Sequence, residues 1–534
     1  MSPRHYLTVL GVLGFGPAHV LAQRQPGDAS AVPMTEIRRT ETAADTRLID
    51  ALSAYIPAVM RAHGTPGLNI ALARRGTVIW EAGFGYANLA AMRPMTPATV
   101  FRSGSMGKTY VATAVMQLVE QGVLELDQPI NRYLEAFQVE NPLGERPVTV
   151  RDYLVHRTGL AVNAANSELV KPPPLGEHLK RAYADSMHEP YNRTMVKLWS
   201  AKVGEKFQYS NLGMATLGYL IEVTNPERLS FSDYVQRNII DPLGMKSTRY
   251  PPIQDLAHVG ADIWSRMSTG YAGLGAVNVP TPAIYFADFP AGNVVSIPGE
   301  HIKLLLAYLN KGTYNGYQLL RPETVAQMLA PQADGFPGVK LGLTWMLSDD
   351  GAPTASFGHG GAHMYGWNND FKAYPKLDAA VMVATNHWRV PSAAIDRENV
   401  LIEDFITAWL RYDSAIPEPD RRMAAWAWKT SYVMGVMMGD YVQGRLGIRT
   451  LLTPAMIDSM VAGARVGVGL PSPASGWDPK GFRAGLDDVL RVVMVPDSVN
   501  AFIRSDRLRV TRAELEQIGK ELGNRGASPL VGTR

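Results

Sequence analysis

Ser105 and Lys108 stand three residues apart at the head of a stretch, Ser105 to Gln121, whose apolar positions Val111, Val115 and Leu118 recur at helical spacing. Three residues is just under one turn, so both side chains face the same side of such a helix. A serine hydroxyl is a poor nucleophile until a base within hydrogen-bond reach takes its proton. A neutral lysine is one such base; it can also hold the proton in a relay with another group. Lowering its ordinary pKa of about 10.4 to ~7 requires roughly 4.6 kcal/mol of burial and neighbouring positive potential. At a helix N-terminus the backbone dipole also favours an oxyanion developing beside the serine. Average composition would give about two Ser-x-x-Lys matches in a chain this long. This chain has one, so the pair taken alone also fits a serine cap with an exposed lysine.

Other chemistries are closed off by what is missing. With no cysteine in 534 residues, disulfides, thiolate metal sites and a cysteine nucleophile are excluded. His359 and His363 are four apart, but Gly360 and Gly361 between them disfavour the helix a metal pair would use, and no His-Glu-x-x-His occurs. No metal and no cofactor are expected. The Gly-x-Ser-x-Gly elbow is absent at Ser105, where Ser103 replaces the first glycine. A net charge of +3 without a lysine or arginine block gives no footprint for nucleic acid.

The elements that would carry these residues can be read along the chain. Arg4 and His5, the apolar run Tyr6 to Phe15 and the small residues around Val20-Leu21-Ala22 have the layout of a signal peptide over 1–22. That predicts a periplasmic or secreted protein; a start at Met34 would make it cytoplasmic. Residues 23–44 read as a leader and Asp45 to His63 as a helix. Leu68 to Ala73 and Thr77 to Ala82 read as a β-hairpin across Arg-Arg-Gly. The middle, roughly 130–290, is rich in proline, loops and short helices. A helix, His301 to Leu309, precedes strands at 341–347, 355–358, 371–374 and 379–384, and a helix follows at 398–411. Strands from both ends around an inserted helical middle predict an α+β fold over 45–415: an antiparallel sheet flanked by helices, with a mostly helical inserted subdomain. Beyond Pro417–Asp420, residues 423–534 read as a mainly helical extension, with Trp426, Trp428, Met434, Met437 and Met438 as a packing face. No other segment offers the ~18 uninterrupted apolar residues of a membrane span.

Several segments in order resemble the serine β-lactamase and penicillin-binding-protein superfamily, in its class C and D,D-peptidase branch. Thr99-Val-Phe-Arg-Ser-Gly-Ser-Met-Gly-Lys-Thr-Tyr is similar to the nucleophile segment. Pro147-Val-Thr-Val-Arg-Asp-Tyr-Leu-Val-His-Arg-Thr-Gly-Leu resembles the helix-to-loop element, and Phe207-Gln-Tyr-Ser-Asn-Leu-Gly carries Tyr-x-Asn. Ile240 to Thr248, and Gly312 through Val325, match further landmarks, so that the resemblance covers roughly 45–411. It implies that Tyr209 lies against Ser105 and Lys108 as base or relay, with Asn211 orienting substrate or lysine. Tyr86-Ala-Asn88 also fits the motif but precedes the nucleophile, and reads as structural. For the third motif, Lys-Thr-Gly or a variant, the candidate is His359-Gly360-Gly361. Lys202-Val-Gly204, His258-Val-Gly260 and Lys340-Leu-Gly342 fit the pattern too, but only His359 follows a segment, Leu341 to Trp345, similar to the preceding family strand. The backbone N–H groups of Ser105 and Ala362 are then the implied oxyanion hole, each donor worth roughly a hundred- to thousand-fold in rate.

The resemblance implies a serine hydrolase working through an ester on Ser105. Histidine rather than lysine in the third motif is similar to the D,D-carboxypeptidases and D-aminopeptidases. It is also a weaker anchor for a β-lactam carboxylate. The expected substrate is a small or linear peptide or amide, which can contain D- or unusual residues; the general likeness to bacterial hydrolases of linearised microcystin makes that peptide one candidate. Carboxylesterase or β-lactamase activity, and a non-catalytic penicillin-binding or sensing module, are the alternatives. Self-association is left open.

Overall fold

The computed structural model describes residues 32–39, 42–161, 167–168, 171–184, 198–274, 277–281, 285–348, 355–363 and 366–390, with five positions between 402 and 410. The expected signal peptide, most of the leader and the whole 423–534 extension lie outside the described residues.

Helix α1 (Ala43–His63) opens on Thr42, whose hydroxyl accepts the Asp45 N–H, and closes on Gly64 in the left-handed conformation. Strands β2 (Gly67–Arg74) and β3 (Thr77–Asn88) form the expected hairpin. Its two-residue turn puts both Arg75 and Gly76 at positive φ, as the twist of a tight hairpin demands. β1 (Met34–Arg38) pairs with β3, inside the stretch read as a leader. After the short β4 (Arg93–Pro94), which also pairs with β3, the chain enters the nucleophile segment and α2 (Gly107–Glu120). Lys108 through Leu118 of α2 are buried on every side, the pattern of a helix enclosed within a core.

α3 (Leu175–Ala184) and α4 (Asn211–Thr224), with several shorter helices, make up the described part of the middle. It is not wholly helical. Tyr271–Leu274 and Val277–Pro280 pair as a hairpin, and His387–Val390 joins it in parallel. The sequence reading missed this small sheet because its strands are only four residues long. The chain returns through α5 (Pro298–Leu309), which packs on the main sheet.

The main sheet is completed by β5 (Ala333–Asp334), β6 (Lys340–Leu341), β7 (Met346–Ser348), β8 (Ser356–His363), β9 (Trp367–Tyr374) and β10 (Ala379–Thr385). Its order is β1-β3-β2-β10-β9-β8-β7-β6-β5, antiparallel throughout, so N-terminal and C-terminal strands meet at β2–β10. This is the α+β sheet expected from the sequence. Several boundaries differ, two of them beside the site. The strand expected over 341–347 is broken between β6 and β7, where Thr344 takes a φ of 72° and a side chain at Gly342 would strike the Met328 carbonyl. β8 runs on to His363, past the expected end at Gly358, because Gly360 to His363 continue the ladder with β9. No helix among the described residues is long and apolar enough to cross a membrane.

β8 lies directly against the turn that carries Ser105. A Cβ at Gly361 would come within 2.0 Å of the Ser103 carbonyl, whereas one at Gly360 would meet nothing nearer than the Asp370 carboxylate at 3.3 Å. Gly361→Ala should therefore lower stability by about 1–3 kcal/mol. Gly360→Ala should leave the thermal midpoint nearly unchanged, a contrast that melting of the two variants measures directly.

Candidate active site

Ser105 sits in a single turn of 3-10 helix, Gly104–Met106, immediately before α2, rather than inside the α-helix itself. Gly104 takes a φ of 58° there, and a Cβ on it would collide with the Ala362 backbone. The turn exposes part of Ser105 while Lys108, one turn on, is wholly buried.

Three groups surround the Lys108 amine. Its Nζ lies 3.0 Å from Ser105 Oγ, 2.7 Å from Asn211 Oδ1 and 2.8 Å from the Ala291 carbonyl. Asn211 and Ala291 offer only acceptors to it, so they fix two N–H bonds whether the amine is charged or neutral. In the neutral form the remaining position, a lone pair, faces the serine hydroxyl. Burial pulls the Lys108 pKa down from 10.5 to about 7, and the carboxylate of Asp288 works against this pull.

Tyr209 and Asn211 flank Ser210, whose hydroxyl caps α4 by accepting the Gly213 N–H at 3.0 Å. The Tyr-x-Asn spacing thus straddles a helix start, with the amide on the helix and the phenol just before it. The Tyr209 phenol adjoins Ser105, and its ring lies 4.8 Å from Lys108 Nζ. Burial raises the phenol well above its usual pKa, against a smaller opposing effect of the Ser105 hydroxyl. At neutral pH Tyr209 is therefore a protonated donor.

His359 is placed on β8 beside this group, its ring 6.3 Å from that of Tyr209, but it is buried rather than presented to solvent. Its Nδ1 lies 2.6 Å from the Gly360 carbonyl, a contact that needs the proton on Nδ1. Burial first, then Lys108, depresses its pKa to about 3, so the ring is neutral. Gly360 and Ala362, next to it, are the partly exposed members of the strand. His363 shares this strand, so the helix a pair of metal-binding histidines would need is not formed.

The other matches to these motifs go elsewhere. Asn88 donates to Thr269 and accepts from the Ala91 N–H, a structural role. Lys340 pairs with Asp334 at the surface and His258 with Asp255. Lys202 is exposed.

Two neighbours of Lys108 escaped the sequence reading. His156 follows a short helix, Val150–Leu154, held by a capping box between Thr149 and Asp152. It takes a φ of 53°, lies with its ring tilted 4.6 Å from that of Tyr209 and accepts the Ser210 N–H on Nδ1. Burial keeps it neutral, with Lys108 and His359 adding to the effect. Asp288 is wholly buried and sits 2.8 Å from His178 of α3, also wholly buried. His156 lay within a segment already singled out. Asp288 and His178, 110 residues apart, gave no local pattern to find.

Comparison with known proteins places this geometry. The family model described as Beta-lactamase matches residues 51–404. A human protein, "Putative beta-lactamase-like 1", is 26% identical over 276 residues, 51% of each chain. Protein flp of Staphylococcus aureus (strain MW2) is 24% identical over 187 residues, 35% of each chain. The chain thus spans about half or less of the length of these curated relatives. Among solved structures, the octameric penicillin-binding protein homologue from Pyrococcus abyssi has a TM-score of 0.54 and 24% identity, covering 68% of this chain and 77% of its own. D-amino acid amidase from Ochrobactrum anthropi SV3, complexed with L-phenylalanine amide, has a TM-score of 0.51 at 21% identity and covers 68% and 97%. EstCE1, described as a hydrolase with promiscuous acyltransferase activity, has 0.53 at 20% and covers 68% and 100%. At these identities the structural matches establish the fold.

Lys108 can accept a proton only when neutral. Labelling of Ser105 by a fluorophosphonate should therefore accelerate through a midpoint near pH 7. Asp288→Asn removes the carboxylate that favours the ammonium, so the midpoint should move to lower pH. An unmoved midpoint would show that the carboxylate does not govern Lys108.

Proposed function

This chain belongs to the Beta-lactamase family of serine hydrolases, and from that premise we propose that it cleaves amide bonds of small or linear peptides through an acyl-enzyme on Ser105. The observation that carries the proposal is the buried Lys108 amine, 3.0 Å from Ser105 Oγ with its other bonds committed to Asn211 and Ala291. Ser105 Oγ attacks the amide carbon as its proton passes to Lys108, and the oxyanion is held by the N–H groups of Ser105 and Ala362. The C–N bond breaks as the leaving nitrogen takes the proton of Tyr209, which recovers one from Lys108. Water then attacks the ester and gives its proton to Lys108, and Ser105 leaves with a proton returned through the same pair. With its Oδ1 turned to Lys108, Asn211 has its Nδ2 to offer an acyl-side carbonyl.

Two observations favour an amide over a β-lactam or a simple ester. The third motif carries His359, buried and uncharged, where a lysine would anchor a carboxylate. One structural relative is an amidase complexed with an amino acid amide. Peptides with D- or unusual residues, linearised microcystin among them, belong in the substrate panel. EstCE1 keeps the ester reading as the second candidate. An expected signal sequence would place the activity in the periplasm or outside the cell.

Ser105→Ala should reduce turnover of every substrate by about 10⁴-fold or more without loss of fold, and abolish the covalent adduct seen by intact-mass spectrometry. Wild-type rates in that variant would refute the assignment. Tyr209→Phe should slow amides by about 10²- to 10⁴-fold while slowing a p-nitrophenyl ester much less, because nitrophenolate leaves without a proton. Equal losses on both would instead make Tyr209 the base for attack.

A further inference from the structure

The hairpin β5–β6 brings one exposed aromatic side chain to the mouth of this site. Ala333–Asp334 pairs with Lys340–Leu341, and the tip between them is closed by the Gly335 N–H on the Val339 carbonyl and the Val339 N–H on the Phe336 carbonyl. Phe336, on this tip, is 42% exposed. Its ring centroid lies 4.9 Å from Phe207, edge to face, and 5.9 Å from Tyr209. Phe207 is itself half-buried and lies 5.9 Å from His156, which backs Tyr209. Phe207 and Phe336 thus form an apolar wall that begins at the catalytic phenol and ends in solvent. An exposed phenylalanine contributes little to the core, and its outer face is free to bury a ligand's apolar surface.

The chemistry says which half of the substrate meets this wall. On the mechanism proposed above, on which this inference rests, the phenol that protonates the leaving nitrogen stands on the leaving-group side of the scissile bond. The oxyanion donors, Ser105 and Ala362, hold the carbonyl oxygen instead. We propose that Phe336, with Phe207, forms a subsite for the side chain of the departing residue, and that it selects aromatic or large aliphatic residues there. Phe336 acts as a specificity-determining residue: it binds a part of the substrate remote from the reacting atoms, so its effect falls on KM rather than kcat.

The test uses two peptides with one common acyl half, one releasing glycine amide and the other phenylalanine amide. The full chain should favour the second, and Phe336→Ala should cut that preference by about tenfold, raising KM for phenylalanine amide release far more than for glycine amide release. Phe336→Trp should retain the preference. Varying the acyl half instead should give the same ratio of rates in wild type and Phe336→Ala. A variant that keeps the wild-type preference, or that loses both activities together with a lowered melting temperature, would overturn the inference and assign Phe336 to packing. Wild-type protein that cleaves neither peptide and takes no label on Ser105 would overturn the hydrolase proposal itself. Cleavage of both without preference would sink only the subsite.

Discussion

Everything in the site turns on one amine held out of water. Lys108 has no exposure, and its partners come from three separate elements: the nucleophile turn, the start of α4 and the 3-10 turn Phe289–Ala291. Lowering its pKa from 10.5 to about 7 costs the fold roughly 4–5 kcal/mol at neutral pH. Between these two values the unfolded chain binds the extra proton, so the cost is full below about pH 7, shrinks as pH rises from 7 to 10.5 and is gone above that. A core extensive enough to enclose α2 on all sides carries that burden, and the gain is a proton acceptor poised near neutrality.

The groups around the amine are consistent with that poise. His156 and His359 are buried and neutral, so neither adds a competing positive charge. The negative charge that acts on Lys108 comes from Asp288, and Asp288 is paired with His178 in complete burial. Tyr209, kept protonated by the same burial, complements the amine as donor to its acceptor. On the proposed mechanism, one low-dielectric pocket thus gives acid and base roles to two different groups.

Backbone approach is the second constraint. The turn at Gly104–Met106 and strand β8 touch so closely that neither Gly104 nor Gly361 has room for a side chain. That contact brings the turn of Ser105 against the Ala362 backbone, and on the proposed mechanism the N–H groups of these two residues serve one oxyanion. It also explains why β8 must continue beyond Gly358: the ladder from Gly360 to His363 fixes the height of that backbone against β9.

The sequence by itself determined the elements and the residue types. Thr42 and Gly64 bound α1, Arg75-Gly76 turns the first hairpin, and the Ser105–Lys108 spacing puts two side chains on one side of a helix start; each is a local rule of backbone geometry. The antiparallel sheet followed from strand-like runs at both ends of the chain. Tertiary structure alone decided what depends on distant segments meeting. It placed Asn211 Oδ1 and the Ala291 carbonyl on Lys108, turned His359 inward and set Asp288 against His178. It broke the strand at Thr344 and carried Phe336 to Tyr209. Spacing along a chain encodes the direction of a side chain, whereas burial and field come from whatever folds over it, and a lysine's charge is set by the latter.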